Sequence, residues 1–357
     1  MAAEARLLDT KCAARRAASK SLREDFMTDR RLDVLAIGNA IVDVIADADD
    51  QFLESQGMHK GAMRLIDENE ATRLYGAMGP GRELSGGSAG NTVAGVASLG
   101  LSAGFIGQLA SDQLGEIYAH DIHSLGIEFA TPLRSDVGAT ARSLILVTAD
   151  AQRTMNTFLG AAQRLGPQAV DPDQVAEARI LYLEGYLWDP EEPRRAMVKA
   201  IDAARSAGTK VAFTLSDSFV VDRHRTNLWE LFQAGRIDIL FANEAEIMSL
   251  AEHESSAEAA RAVAALVPSV VVTRSEKGAF ALAGGKEFTV PAEPIRALVD
   301  TTGAGDLFAA GYLAGEARGA GIDRSLRIGA ICAAEVIQHY GARPEADLKA
   351  LVGDLLG

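Results

Sequence analysis

With 357 residues, 48% of them hydrophobic and 24% charged, the chain has room for one large α/β domain or two ordinary ones. A formal net charge of −14 argues against nonspecific binding to DNA, RNA or an anionic membrane, but leaves room for a local phosphate pocket. The two cysteines, Cys12 and Cys332, form no C-x-x-C pair; neither a zinc ribbon nor a redox motif is supported, and a reducing cytoplasm fits.

Residues 1–30 read as a disordered extension ahead of a single domain at 31–357. The stretch MAAEARLLDTKCAARRAASKSLREDF lacks the apolar core of a secretory signal, and Glu4, Asp9, Glu24 and Asp25 count against a transit peptide. Met27 is the expected working start. VLAIG (34–38) is a buried strand, and IVDVIA (41–46) alternates as a half-exposed one. GAMRLI (61–66) is a second strand of that kind. The uncharged run from Ser85 to Ser111 is too broken by Gly, Ser, Asn and Gln for a membrane helix. It reads as a loop, a short helix at 91–100 closed by Gly100, and the strand AGFIG at 103–107.

A helix over 111–126 takes Ser111 as its N-cap and has an apolar stripe of Leu114, Ile117, Tyr118, Ile122 and Leu125. His120 and His123 lie opposite that stripe, as a solvated face rather than a metal pair. ARSLILVT and RTMNTFLG form a hairpin around ADAQ. Strands at 179–185, 210–216, 237–243 and 269–274 then alternate with helices around 192–207 and 257–266. GAFALAGG and EFTVP add an antiparallel edge, and helices from Asp306 and across 323–340 follow. Such alternation predicts a mainly parallel sheet with helices on both faces. The strands around 41–47, 61–66, 127–132 and 141–158 lack intervening helices and are expected to form a small separate sheet, a lid built from insertions around 41–66 and 127–160.

In an open α/β sheet, ligands bind beyond the carboxyl ends of the strands. Asn39, Glu184, Ser216-Asp217, Asn243 to Glu246 and Thr273 all fall there. They are followed by DTTGAGDLFAAG at 300–311. The first N–H groups of a helix have no partner within it and carry the positive end of its dipole. Glycines let an anion approach that terminus closely. A carboxylate there would repel the anion, unless its task is to take a proton from the group attacking it. Asp306 is therefore a candidate general base. A Walker A loop is absent, since GGKE (284–287) lacks both the Ser/Thr and the spacing. Neither GAGDLF nor GGSAGN has the G-x-G-x-x-G fingerprint.

Gly-Gly-Ser-Ala-Gly-Asn at 86–91, Asn243-x-x-Glu246 and Asp300-Thr-Thr-Gly-Ala-Gly-Asp306 resemble the ribokinase or PfkB carbohydrate kinase family over roughly residues 33–345. GNAIVDV and RTMNTFLGAA look most similar to its adenosine kinase-like members. The resemblance implies a ribokinase-like α/β fold and an ATP-dependent, Mg²⁺-requiring transfer of the γ-phosphate to a primary hydroxyl on a ribose-like ring. Adenosine to AMP is the first expectation, in the cytoplasm. It further implies Asp306 as base, with the backbone N–H groups of Gly303, Ala304 and Gly305 as anion hole. Asp43 would grip two ribose hydroxyls, with Asn39, Gly87, Ser88 and Asn91 around the sugar and Arg153 closing over from the lid. Asn243 and Glu246 would hold Mg²⁺ and phosphate through water, and Asp300 and Thr302 would help form a monovalent-cation site for K⁺. Thr273, Ser275 and Gly278 would follow the nucleotide, although Ser275 stands where the family's T-x-G-x-x-G has its first glycine.

Other readings stay open. Asn243 and Glu246 also fit a helix cap, and Asp43 a solvated strand residue. Tyr186 and Trp188 could stack on a base or pack in the core. A kinase of free sugars such as ribose, fructose or a keto-deoxy sugar acid is the runner-up, and a non-catalytic nucleoside or sugar sensor is the alternative of another class. A dehydrogenase is disfavoured by the missing fingerprint. The expected partners are ATP and a small-molecule acceptor, with no nucleic acid and no membrane, in a monomer or a homodimer.

Overall fold

LDVLAI is apolar at nearly every position because both faces of the strand it forms are covered. This strand, β1 (Leu32–Ile37), lies inside a large sheet. The computed structural model describes residues 30–150 and 152–357, so the expected extension, Arg30 apart, lies outside the described residues. The strands that follow are β2 (Ile41–Asp47), β3 (Met63–Leu65), β4 (Arg82–Gly86), β5 (Ala103–Ile106), β6 (Glu128–Phe129), β7 (Ala141–Val147) and β8 (Arg153–Phe158). After them come β9 (Ala178–Glu184), β10 (Lys210–Thr214), β11 (Ile239–Asn243), β12 (Ser269–Thr273), β13 (Ala279–Ala283) and β14 (Lys286–Val290).

Among the described residues, nine strands form the large sheet in the order β14-β13-β12-β11-β10-β9-β1-β5-β6. It is parallel except at β13 and β14, the antiparallel edge read from GAFALAGG and EFTVP. The chain runs outward from β1 through β5 to β6, then returns to β9 on the other side of β1. That reversal falls between β1 and β9, the kind of switch point beside which open α/β sheets bind ligands. The second sheet has the order β3-β8-β7-β2-β4.

The large sheet divides the core in two. Val34 and Ala36 face the helices Ser88–Ser98, Ala304–Ala317 and Ile322–Val336. Leu35 and Ile37 face the helices Glu191–Ala207 and Ser218–Gln233. The helices Ala304–Ala317 and Ile322–Val336 meet with no side chains between them at one point. A Cβ added to Gly311 would stand 2.7 Å from the Cα of Gly329. Adding that methyl would force the two backbones apart, at a cost of about 1–3 kcal/mol.

Several expectations need correction. The strand at 127–132 shortens to β6 and joins the large sheet beside β5, because Ile127 and Phe129 pack into the core with Phe105 and Tyr118. The small sheet takes β4 instead, whose last two residues open the run from Ser85 read as a loop. The helix Gln113–Ser124 is capped by Asp112, not Ser111: Asp112 Oδ1 accepts from Gly115 N at 2.8 Å. Leu125 falls at the helix end and is exposed, so the apolar stripe stops at Ile122. The helix expected at 91–100 begins earlier, at Ser88. The helices Glu68–Ala77 and Ser218–Gln233 had no counterpart in the sequence reading, whereas Glu244–Ala251 is the helix that the cap reading of Asn243 and Glu246 implies. Among the described residues, no helix is long and apolar enough to cross a membrane.

Candidate active site

The helix Ala304–Ala317 begins where the chain turns at Gly303. Its φ of 79° is left-handed, and a Cβ there would lie 2.6 Å from that of Ala342, so only glycine fits. No side chain caps this terminus, which leaves its first-turn N–H groups for a ligand. Ala304 N turns back to Thr301 O at 3.2 Å, so of the three expected anion-hole residues its N–H is already engaged.

Asp306 lies in the first turn of this helix. Its Oδ1 accepts from Ser88 Oγ at 2.6 Å, and its Oδ2 from Asn91 Nδ2 at 3.0 Å. Burial raises its pKa above the usual carboxylate value, against those two donors and the charge of Arg343. Ser88 and Asn91 belong to the GGSAGN segment, which is pinned from two sides. Arg343 Nη2 and Nη1 donate to Ser85 O and Gly90 O, each at 2.7 Å. Glu184 Oε2, at the end of β9, accepts from Ala89 N at 2.9 Å. Glu184 Oε1 accepts from Asn39 Nδ2 at 2.6 Å. Burial pushes the Glu184 carboxyl up to about 7 despite these donors.

Two cavities meet at this helix start. The first, of about 440 Å³, is lined by Asp43, Gly87, Ser88, Asn91, Asn243, Glu246, Thr302, Gly303 and Asp306, with Ile41, Ile145, Met155 and Tyr186 among its apolar and aromatic walls. The second, of about 390 Å³, is lined by Ser275, Gly278, Ile295, Leu298, Ala304, Ala333 and Ile337. Thr273, Gly305 and Phe308 belong to both. Asp43 enters the first cavity from β2, and burial pushes its pKa up to about 6 against the charges of Arg343 and Arg153.

Three expected site residues line neither cavity. Asn39 spends its amide on Glu184 and is buried beneath the site. Arg153 and Asp300 form an ion pair with each other, both nearly buried. Arg343 had no motif to mark it, and it follows the helix Ile322–Val336 in an irregular segment. Of the doubtful aromatics, Tyr186 reaches the cavity, whereas Trp188 packs edge-on against Phe213. His120 and His123 are exposed.

Asn243 and Glu246 make a reciprocal helix cap: Asn243 N donates to Glu246 Oε2 and Glu246 N to Asn243 Oδ1, each at 2.9 Å. Both also line the first cavity. Burial pushes Glu246 up to about 7. A carboxylate and an amide oxygen at a cavity wall fit Mg²⁺, which commonly takes one or two carboxylates and completes its shell with phosphate and water.

Ser275 takes a φ of 50°, the left-handed conformation a glycine would hold at no cost. Ser275→Gly is expected to raise stability by about 0.5 kcal/mol, the strain released less the added freedom of the unfolded chain. A denaturant midpoint that falls in this variant would refute the strain.

An open sheet whose crevice sets an anion-receptive helix start beside a hydrogen-bonded carboxylate defines a phosphotransferase acting on a hydroxyl group. Residues 75–348 match the model of the pfkB family of carbohydrate kinases, and the chain belongs to that family. Its fold is accordingly ribokinase-like, and membership implies ATP as the donor, generally with Mg²⁺. The chain is similar to the crystal structure of an adenosine kinase from Sinorhizobium meliloti, with 47% identity and a TM-score of 0.83 over 90% of this chain and 98% of that one. It is also similar to a probable sugar kinase from Rhizobium etli CFN 42, with 46% identity and a TM-score of 0.83 over 90% of this chain and 97% of that one. A 5-dehydro-2-deoxygluconokinase of Shouchella clausii is 28% identical, over 92% of this chain and 97% of its own length.

Proposed function

We propose that the chain phosphorylates the 5′-hydroxyl of a purine ribonucleoside, adenosine first, as a step of purine salvage in the cytoplasm. The observation that carries this reading is the pair of cavities joined at Gly305, with Asp306 facing the first. ATP would lie in the second, its base against Ile295, Leu298 and Ile337, and its γ-phosphate would reach the helix start. The acceptor would occupy the first, with Asp43 accepting from two ribose hydroxyls. Asp306 would take the proton of the attacking hydroxyl. The N–H groups of Gly305 and Asp306 would stabilise the charge that develops on the transferred group. Asn243 and Glu246 would hold Mg²⁺ through water, and the ion would neutralise phosphate charge. The small sheet, acting as a lid, would keep water from competing with the acceptor.

Ile145, Met155 and Tyr186 favour a nucleoside over a free sugar. A base would cover this apolar surface, which a sugar alone would leave wet. The likeness to an adenosine kinase at 47% identity fits this reading but is matched by the 46% to a probable sugar kinase, so the choice rests on the cavity walls. A sugar kinase is the second reading. It is supported by Ser143 and Thr157 in the same cavity, which could bind further hydroxyls, and by the full-length gluconokinase relative.

The test is ADP production from ATP and Mg²⁺ with adenosine, guanosine, inosine, ribose, fructose, 5-dehydro-2-deoxygluconate or no acceptor. Strong adenosine-dependent turnover is expected. Preference for a free sugar would replace the first reading with the second. Ligand binding without any acceptor-dependent turnover would remove both.

A further inference from the structure

Asp300 opens the DTTGAGD segment, where the resemblance led to the expectation of a K⁺ site. The donors around its carboxylate do not fit that ion. Oδ1 accepts from Thr302 N at 3.0 Å and from Thr302 Oγ1 at 2.7 Å. Oδ2 accepts from Gly341 N at 3.0 Å and from Arg153 Nη1. A carboxylate offers about four lone-pair positions. Here four donors take them, and none is left for a metal ion. The two side chains of the ion pair are 8% and 6% exposed, so little water screens the guanidinium from a second cation placed beside it. Unlike an ion drawn from solution, the guanidinium is always charged and always present.

We propose that Arg153 stands in this chain in place of a monovalent cation, neutralising Asp300 and ordering the anion-binding segment without K⁺ or Na⁺. The two residues come from different parts of the fold. Arg153 is the first residue of β8 in the small sheet, and Asp300 precedes the helix that begins at Ala304. The exchange of an ion for a side chain therefore ties the anion-binding segment to the small sheet. Arg153 acts through Asp300 and is a positioning residue. The inference rests on family membership and this contact, not on which acceptor is used.

The experiment compares KCl, NaCl and tetramethylammonium chloride at equal ionic strength, on the full chain. Two readouts are taken: the thermal unfolding midpoint, and turnover with whichever acceptor proves active. Wild-type protein is expected to show the same midpoint in all three salts and a turnover that changes less than about two-fold, far below the 5–150-fold range of typical couplings. Arg153→Gln is expected to lose turnover in tetramethylammonium and regain roughly five-fold or more with K⁺, as the ion enters the vacated place. Arg153→Lys, which keeps a charge, should respond less to K⁺ than the glutamine variant. K⁺-selective stabilisation or activation of the wild type would overturn the proposal, whether or not the variants fold. A folded Arg153→Gln protein indifferent to K⁺ would overturn it too. If no acceptor is turned over, the midpoints still decide, so failure of the nucleoside reading is distinguishable from failure of this one.

Discussion

Asp306→Asn is expected to lower kcat by about 10²–10⁴-fold, the contribution of a positioned base, while ATP still binds with near wild-type affinity. The substitution removes the proton acceptor and keeps the shape. Its amide oxygen can still accept from Ser88 Oγ, as Asp306 Oδ1 does at 2.6 Å. The new NH₂ would meet the NH₂ of Asn91, but Asn91 Oδ1 is buried without a partner among the described residues. A flip of the Asn91 amide turns that oxygen toward the new donor and restores the hydrogen bond. The loss should therefore be chemical rather than structural. Single-turnover kinetics with an unchanged unfolding midpoint would check this, and near-normal turnover would remove Asp306 as the base.

Asp43→Ala should raise the KM for the acceptor by about 10²–10⁴-fold, since each of two hydrogen bonds to a charged oxygen contributes roughly 1.5–3 kcal/mol. The KM for ATP, proposed to lie in the second cavity, which Asp43 does not line, should barely move. Equal effects on both substrates would sink the ribose assignment. Asp43 also predicts a pH dependence. Burial disfavours its charged form and places its pKa at about 6. Above that pH both oxygens accept hydrogen bonds; below it a proton takes up one of them. The binding affinity for the acceptor should thus fall as pH drops through about 6 in the wild type, and this step in affinity should be missing from Asp43→Ala.

What could be read ahead of the structure is what the chain keeps close together. Asp306 and the Gly303 turn lie within one heptapeptide, so the helix start and its carboxylate were visible as a unit. Asn243 and Glu246 are three residues apart, the spacing that makes a helix cap. The alternation of strands and helices gave the parallel sheet, because buried strands and amphipathic helices differ in period. The remainder depends on contacts across the chain. Arg343 lies 258 residues from Ser85, and Arg153 lies 147 from Asp300. Nothing local marks such pairs. β6 was misplaced because two paired residues cannot declare which sheet they join. The helix Ser218–Gln233 escaped because polar residues interrupt its apolar face.

Where Gly311 meets Gly329, no layer of side chains is left to slide between the two helices. Packed backbone to backbone there, they resist sliding past one another, and the helix start from Gly303 to Asp306, proposed to receive the phosphate, is mounted on them. A stiff mount keeps its dipoles aimed before any charge arrives, so little reorientation is needed as charge builds on the transferred group. In the proposed role of the small sheet as a lid, compliance would reside there, with the Arg153–Asp300 pair joining it to the helix start. Stiffening the sheet should therefore slow opening and closing while leaving the alignment of the donors untouched.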